Sequence, residues 1–107
     1  MPDVNGAEIT TIFDTGASAV VLTDADARAA GIAVDELRFD VAVSTANGTG
    51  RAALVRLNRV EVGGIVRTNV RAFVAEKQAL DTSLLGMSFL ETLTRYSVSA
   101  NSLEMVD

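Results

Sequence analysis

A chain of 107 residues suffices for one compact domain with a single core, and 49% hydrophobic residues with one proline argue against disorder. Its formal charge of −5, with no basic stripe along the sequence, points away from nucleic acid and from anionic membrane surfaces. Cysteine and histidine are both absent. That excludes disulfides, thiol nucleophiles, thiolate and His-ligated metal sites, and Ser-His-Asp or Cys-His catalysis. An enzyme built from this chain works with carboxylates, lysine, hydroxyls or backbone groups, and no metal or cofactor is expected.

Met1-Pro2-Asp3 carries neither a basic stretch nor an apolar h-region, and no run is long enough to span a bilayer. We expect either a cytoplasmic protein or a soluble domain trimmed from a longer one. Val4-Asn5-Gly6-Ala7 reads as a strand end and a tight turn, since Asn-Gly is the strongest two-residue hairpin signal. The first strand is therefore short or truncated, and its partner runs from Glu8 to Phe13. Thr23 to Gly31 reads as a short helix. Thr23 suits the N-cap, Asp24 and Asp26 suit the positive end of the dipole, and Gly31 suits the C′ position. Ile32 to Arg38 is a connection without a clear pattern.

Phe39 to Thr45 alternates as a strand, Ala46 to Gly50 is a glycine-rich hairpin tip, and Arg51 to Val62 resumes the sheet. The alternation changes phase near Asn58, which predicts a bulge. Gly63-Gly64 predicts another tight turn, Ile65 to Ala75 a strand, and Glu76 to Thr82 a polar connection. Ser83 to Gly86 is short and apolar. Met87 to Leu93 has helical spacing, with Phe89, Leu90 and Leu93 on one face. We read those three residues and Leu84 as core. Tyr96 to Val98 and Leu103 to Val106 read as a last strand pair about Asn101. The sum is a single all-β domain over residues 1–107, barrel-like, with one or two short helices and no parallel sheet.

The residues most suggestive of chemistry are Asp14-Thr15-Gly16-Ala17-Ser18, set between Ile9–Phe13 and Ala19–Leu22. A carboxylate in so apolar a run is costly unless it is partnered or used. Gly16 lets the backbone turn sharply, and Thr15 and Ser18 put hydroxyls nearby. A plain Asx-type turn is the competing reading. Gly48-Thr49-Gly50-Arg51-Ala52-Ala53 has the form G-x-G-x-x-A, but its flanks read as a hairpin and not as a strand opening into a helix, so a dinucleotide site is rejected.

Taken in order, Asp14-Thr15-Gly16-Ala17-Ser18, Ser44-Thr45-Ala46-Asn47-Gly48, Val62-Gly63-Gly64-Ile65 and Leu84-Leu85-Gly86-Met87-Ser88-Phe89-Leu90 resemble the retropepsin-like aspartic proteases, in their bacterial single-domain branch. The resemblance spans about residues 4 to 106. It implies an acid-protease half-barrel with a long flap hairpin. It also implies an aspartic endopeptidase acting on polypeptides as a homodimer.

No second Asp-Thr-Gly or Asp-Ser-Gly occurs; Asp81-Thr82-Ser83 is nearest and lacks the glycine. One chain thus supplies half a site, and Asp14 of two subunits would meet on a two-fold axis. The resemblance implies that Thr15 bonds across that axis, that Gly16 N–H and Ser18 bond the carboxylate, and that Ala46, Asn47, Gly48, Thr49 and Gly50 form the flap. It implies further that Ala17 and Leu85 line substrate pockets and that Gly86 lets the helix pack behind the active loop. Bacterial members often carry an N-terminal membrane anchor and face the periplasm, which favours that compartment, with the cytoplasm as the alternative. Two rival readings remain: a catalytically silent peptide-binding or dimerisation module, and a structural β-domain in which Asp14 is only a turn residue.

Overall fold

The computed structural model describes residues 2–14, 16–45, 48–77, 79–93, 95–99 and 102–106, with backbone alone at 43–45, 48, 95–99, 102–104 and 106. Strands β1 (Asp3–Val4) and β2 (Ala7–Glu8) flank Asn5 and Gly6, which have φ of 53° and 91°. Both signs are those of the hairpin turn that Asn-Gly favours. The expected strand from Glu8 to Phe13 is instead two pieces, β2 and β3 (Thr11–Phe13). The chain leaves its hairpin at Ile9, whose N–H donates to Pro2 O at 2.9 Å and whose side chain enters the core.

After β4 (Val20–Leu22), helix α1 (Asp24–Ala29) starts at Thr23, whose hydroxyl accepts from Asp26 N–H at 3.1 Å. It stops because Gly31 takes φ of 82°, so that Ile32 N–H reaches Ala27 O and Gly31 N–H reaches Arg28 O. The patternless connection holds one turn of 3-10 helix, Val34–Glu36.

Strand β5 (Val41–Thr45) is followed by β6 (Gly48–Val62) and β7 (Ile65–Ala75). Gly63 and Gly64 join the last two with φ of 57° and 84°. Gly48, Thr49 and Gly50 are not part of a loop tip: they pair with Thr45, Ser44 and Val43. The predicted bulge takes a different form. Burial changes phase between Leu57 and Val60 on β6, and between Arg67 and Val70 on β7, yet the register stays one-to-one from Ala52↔Ala75 to Val62↔Ile65. Both strands kink together at Asn58 and Asn69, the latter at φ of 53°, so neither gains a residue on the other. Beside the kink Asn5 pairs with Arg59, its N–H donating to Arg59 O and its Oδ1 accepting from Arg59 N–H, at 2.8 and 3.0 Å.

Strand β8 (Ser83–Leu85) leads into α2 (Met87–Leu90), and β9 (Arg95–Ser99) pairs antiparallel with β10 (Ser102–Val106) as a separate two-stranded sheet. The main sheet runs β2-β1-β6-β7-β4-β8-β3, with β5 on β6. No wholly parallel sheet forms, but the sheet is mixed and not purely antiparallel. β3 pairs parallel with β8, and β4 parallel with β7. The β3–β8 pair is long-range: β8 returns from the far end of the chain and slots between β3 and β4.

The sheet curls into a mixed half-barrel around one large core that includes Ile9, Leu22, Leu57, Val74, Leu85, Phe89 and Leu90. Ala17, Val21, Ala75 and Leu84 form a smaller second cluster. Among the described residues no helix is long and apolar enough to cross a membrane.

Candidate active site

Strand β3 delivers Asp14 to the end of the sheet beside β8. The Asp14 N–H donates to Leu85 O at 3.1 Å, prolonging the β3–β8 pairing by one bond. The chain then turns. Ala17 N–H donates to Asp14 O at 3.2 Å, and Gly16 N–H donates to Asp14 Oδ1 at 2.8 Å. A half-buried carboxylate is thus fixed by its own loop through Oδ1, and among the described residues no hydrogen bond reaches its second oxygen. A Cβ on Gly16 would lie 3.1 Å from Asp14 Oδ1, so a side chain there would crowd the carboxylate.

The loop is backed by the β8–α2 junction. Met87 N–H donates to Ala17 O at 2.9 Å. A Cβ on Gly86 would stand 2.1 Å from Ala19 O and 2.8 Å from Ala17 O, so the residue at 86 can only be glycine if the loop is to stay where it is. Leu85 is 1% exposed and belongs to the large core. It supports the loop from behind, its carbonyl accepting from Asp14 N–H. Ala17 is buried beside Val21, Ala75 and Leu84. Leu84, Phe89, Leu90 and Leu93 are core, as read from the sequence.

Two serines not singled out from the sequence fix the loop's surroundings. Ser88 Oγ accepts from Val20 N–H at 2.8 Å and donates to Arg71 O at 2.6 Å, tying β4, β7 and α2 together. Ser83 Oγ accepts from Thr23 N–H at 3.0 Å and donates to Asp26 Oδ2 at 2.6 Å. Their only sequence signal is a small hydroxyl inside an apolar run. Ile12 also escaped the sequence reading. It is 55% exposed two residues before Asp14, where alternation along β3 turns its apolar side chain outward.

Ser18 is exposed, and among the described residues no hydrogen bond joins its hydroxyl to Asp14. Thr15, Ala46 and Asn47 lie outside the described residues. Strand β7 ends at Ala75 opposite Ala52, so from Gly50 outward β6 has β5 as its strand partner among the described residues. The base of that pair is clamped by Glu76, whose carboxylate accepts from Arg51 N–H at 3.0 Å and whose N–H donates to Arg51 O at 3.2 Å. Among the described residues no group of three or more His, Cys, Asp or Glu is placed to hold a metal ion.

A half-barrel in which a returning strand crosses behind a carboxylate-bearing turn has the acid-protease type of fold. Residues 2–92 match the family model described as "gag-polyprotein putative aspartyl protease". The chain is similar to a crystal structure of a retropepsin-like aspartic protease from Rickettsia conorii, with a TM-score of 0.83 and 36% identity, covering 97% of this chain and 77% of that one. It is 45% identical over 104 residues to an uncharacterized Sinorhizobium protein from the cobV 5′ region, covering 97% of this chain. It is 37% identical over 100 residues to the uncharacterized protein RP867 of Rickettsia prowazekii, covering 94% of this chain. The chain spans 45% and 42% of the lengths of those two curated relatives. It belongs to the retropepsin-like aspartic protease family.

Proposed function

We propose that two copies of this chain form an aspartic endopeptidase, each contributing Asp14 to one shared site. The observation that carries the reading is the fixed Asp14 turn. Gly16 N–H holds one carboxylate oxygen, Leu85 O holds the main chain, and Gly86 lets α2 brace the loop. A single such turn in the chain makes half a site, which a two-fold axis would complete.

Two carboxylates facing each other cannot both ionise at low cost, so they share one proton. The ionised one takes a proton from a water, whose oxygen bonds to the scissile carbonyl carbon. The protonated one gives its proton to the carbonyl oxygen. Collapse of the tetrahedral diol then breaks the C–N bond as the amine nitrogen is protonated, and the carboxylate pair returns to its starting state.

The β5–β6 ribbon supports a flap role, because among the described residues no further strand pairs with its outer part. An extended polypeptide would bind by strand addition, with Ile12 offering an apolar wall beside Asp14. The family resemblance favours the periplasm as the site of action, which cell fractionation would test.

The direct test of function is binding of a statine-type transition-state mimic. The reading predicts a raised Tm in wild type and a much smaller rise in Asp14→Asn. Equal shifts in both proteins would remove Asp14 from the site. No shift in either would favour the structural β-domain.

A further inference from the structure

The β6–β7 ladder ends on a side chain. Its last register pair is Ala52↔Ala75, so the next residues to face each other are Arg51 and Glu76. Two residues opposed in a hydrogen-bonded antiparallel pair exchange two main-chain bonds. Here the main chain makes one of them, Glu76 N–H donating to Arg51 O at 3.2 Å. The other goes to the carboxylate: Arg51 N–H donates to Glu76 Oε1 at 3.0 Å. The Glu76 carbonyl is engaged in the turn that carries the chain away from β7, accepting from Ala79 N–H at 3.0 Å. The carboxylate thus stands in for the carbonyl of its own residue.

That turn also touches the packing of the Asp14 loop. Ala79 and Leu80 pack against the cluster of Ala17, Val21, Ala75 and Leu84, and Ala17 N–H is bonded to Asp14 O. A Cβ on Gly50 would lie 3.9 Å from the Ala79 Cβ, so β6 passes this turn at van der Waals distance as it leaves the ladder. The turn therefore meets the ribbon on one side and the Ala17 cluster on the other.

We propose that Glu76 is a positioning residue for the β5–β6 ribbon: its carboxylate latches Arg51 N–H, sets the ribbon's pivot at Gly50 and fixes it relative to the Ala17 cluster. The proposal rests on the flap reading given above and adds what holds the flap in place. A charged acceptor makes a bond roughly twice as strong as a neutral one. Carried on a side chain, it can release Arg51 without unfolding β7. With the latch made, the ladder reaches Arg51. With it broken, the last full pair is Ala52 with Ala75, and the pivot moves inward. A polypeptide bound under the ribbon is then held less tightly.

The experiment is amide hydrogen exchange read by NMR on wild type, Glu76→Ala, Glu76→Asp and Glu76→Gln, with affinity for a statine-type mimic measured on the same proteins. Exchange at Arg51 should quicken about tenfold in Glu76→Ala, and also in Glu76→Asp, whose carboxylate is one methylene short. Glu76→Gln keeps Oε1 as an acceptor and should restore most of the protection. Val55 and Val74 amides, deeper in the ladder, should exchange as in wild type, which separates a local latch from a loss of overall stability. The mimic should bind Glu76→Ala about three- to tenfold more weakly than wild type, with Glu76→Gln in between. Unchanged Arg51 exchange in Glu76→Ala, or an equal loss of protection in Glu76→Gln, would overturn the latch. Faster exchange with unchanged affinity for the mimic would overturn its positioning role. If wild type does not bind the mimic, the endopeptidase reading fails, and Arg51 exchange alone decides the latch.

Discussion

Replacing Gly86 with alanine isolates the contact that holds the Asp14 turn. Gly86 has φ of −103° and ψ of −165°, an extended backbone that alanine adopts freely, so the added methyl acts through sterics alone. Its Cβ would meet Ala19 O at 2.1 Å, Ala19 C at 2.7 Å and Ala17 O at 2.8 Å. An unstrained C···O contact is about 3.3 Å or more, so the loop must retreat by about 1 Å. Backbone on both sides leaves no flexible side chain to give way. The retreat also stretches the Met87 N–H to Ala17 O bond beyond hydrogen-bond range. Overpacking of this kind costs about 1–3 kcal/mol and the lost hydrogen bond about 1 kcal/mol, for a total near 3 kcal/mol. Against a total stability of about 5–15 kcal/mol that is a large share. Urea unfolding at fixed protein concentration should show a midpoint drop of about 1–3 M, and thermal melting a drop of roughly 10–20 °C. A loss under about 1 kcal/mol would mean that the loop yields freely, and the close-packing account of Gly86 would fail.

Ser88→Ala removes the one hydroxyl that serves both Val20 N–H and Arg71 O in a buried position. It should cost about 2–4 kcal/mol by urea unfolding, because two backbone groups are left unpaired; a cost below about 1 kcal/mol would contradict the bridging role. Asp35 tests a pH effect. Its hydrogen bond from Arg28, at 2.7 Å, holds its carboxyl below the ordinary range. A depressed carboxylate contributes stability above its unfolded value and loses it as the pH falls through the folded one. Asp35→Asn should therefore lower Tm slightly near neutrality. The gap should close in acid and shrink with salt, since the pair is exposed; a gap independent of pH would refute the assignment. Thr23→Ala should cost about 1 kcal/mol through the lost N-cap, again by urea unfolding, and an unchanged midpoint would remove the cap's role.

What the sequence made legible is what neighbours decide. Asn5-Gly6 and Gly63-Gly64 mark their turns because those positions need positive φ. Thr23 and Gly31 bracket α1 because capping is a matter of a few adjacent atoms. The Asp14 turn was legible for the same reason, as a carboxylate and a glycine set in an apolar run. Distant partners were not legible. Nothing local to Ser83–Leu85 says that it slots between β3 and β4, so its parallel pairing with β3 is not legible there. The change of phase at Asn58 was visible, but only the matching change at Asn69 turns a bulge into a paired kink.

The central claim is that Asp14 of two chains hydrolyses a peptide bond. Cleavage of a quenched peptide library by wild type and by Asp14→Asn, from mildly acid to neutral pH and over a wide range of protein concentration, tests it most directly. The account predicts activity that rises more than linearly with wild-type protein and is absent in Asp14→Asn, while both proteins keep the same fold. Cleavage that persists in folded Asp14→Asn, or that scales linearly down to the lowest concentrations at which the wild type is a monomer, would contradict it.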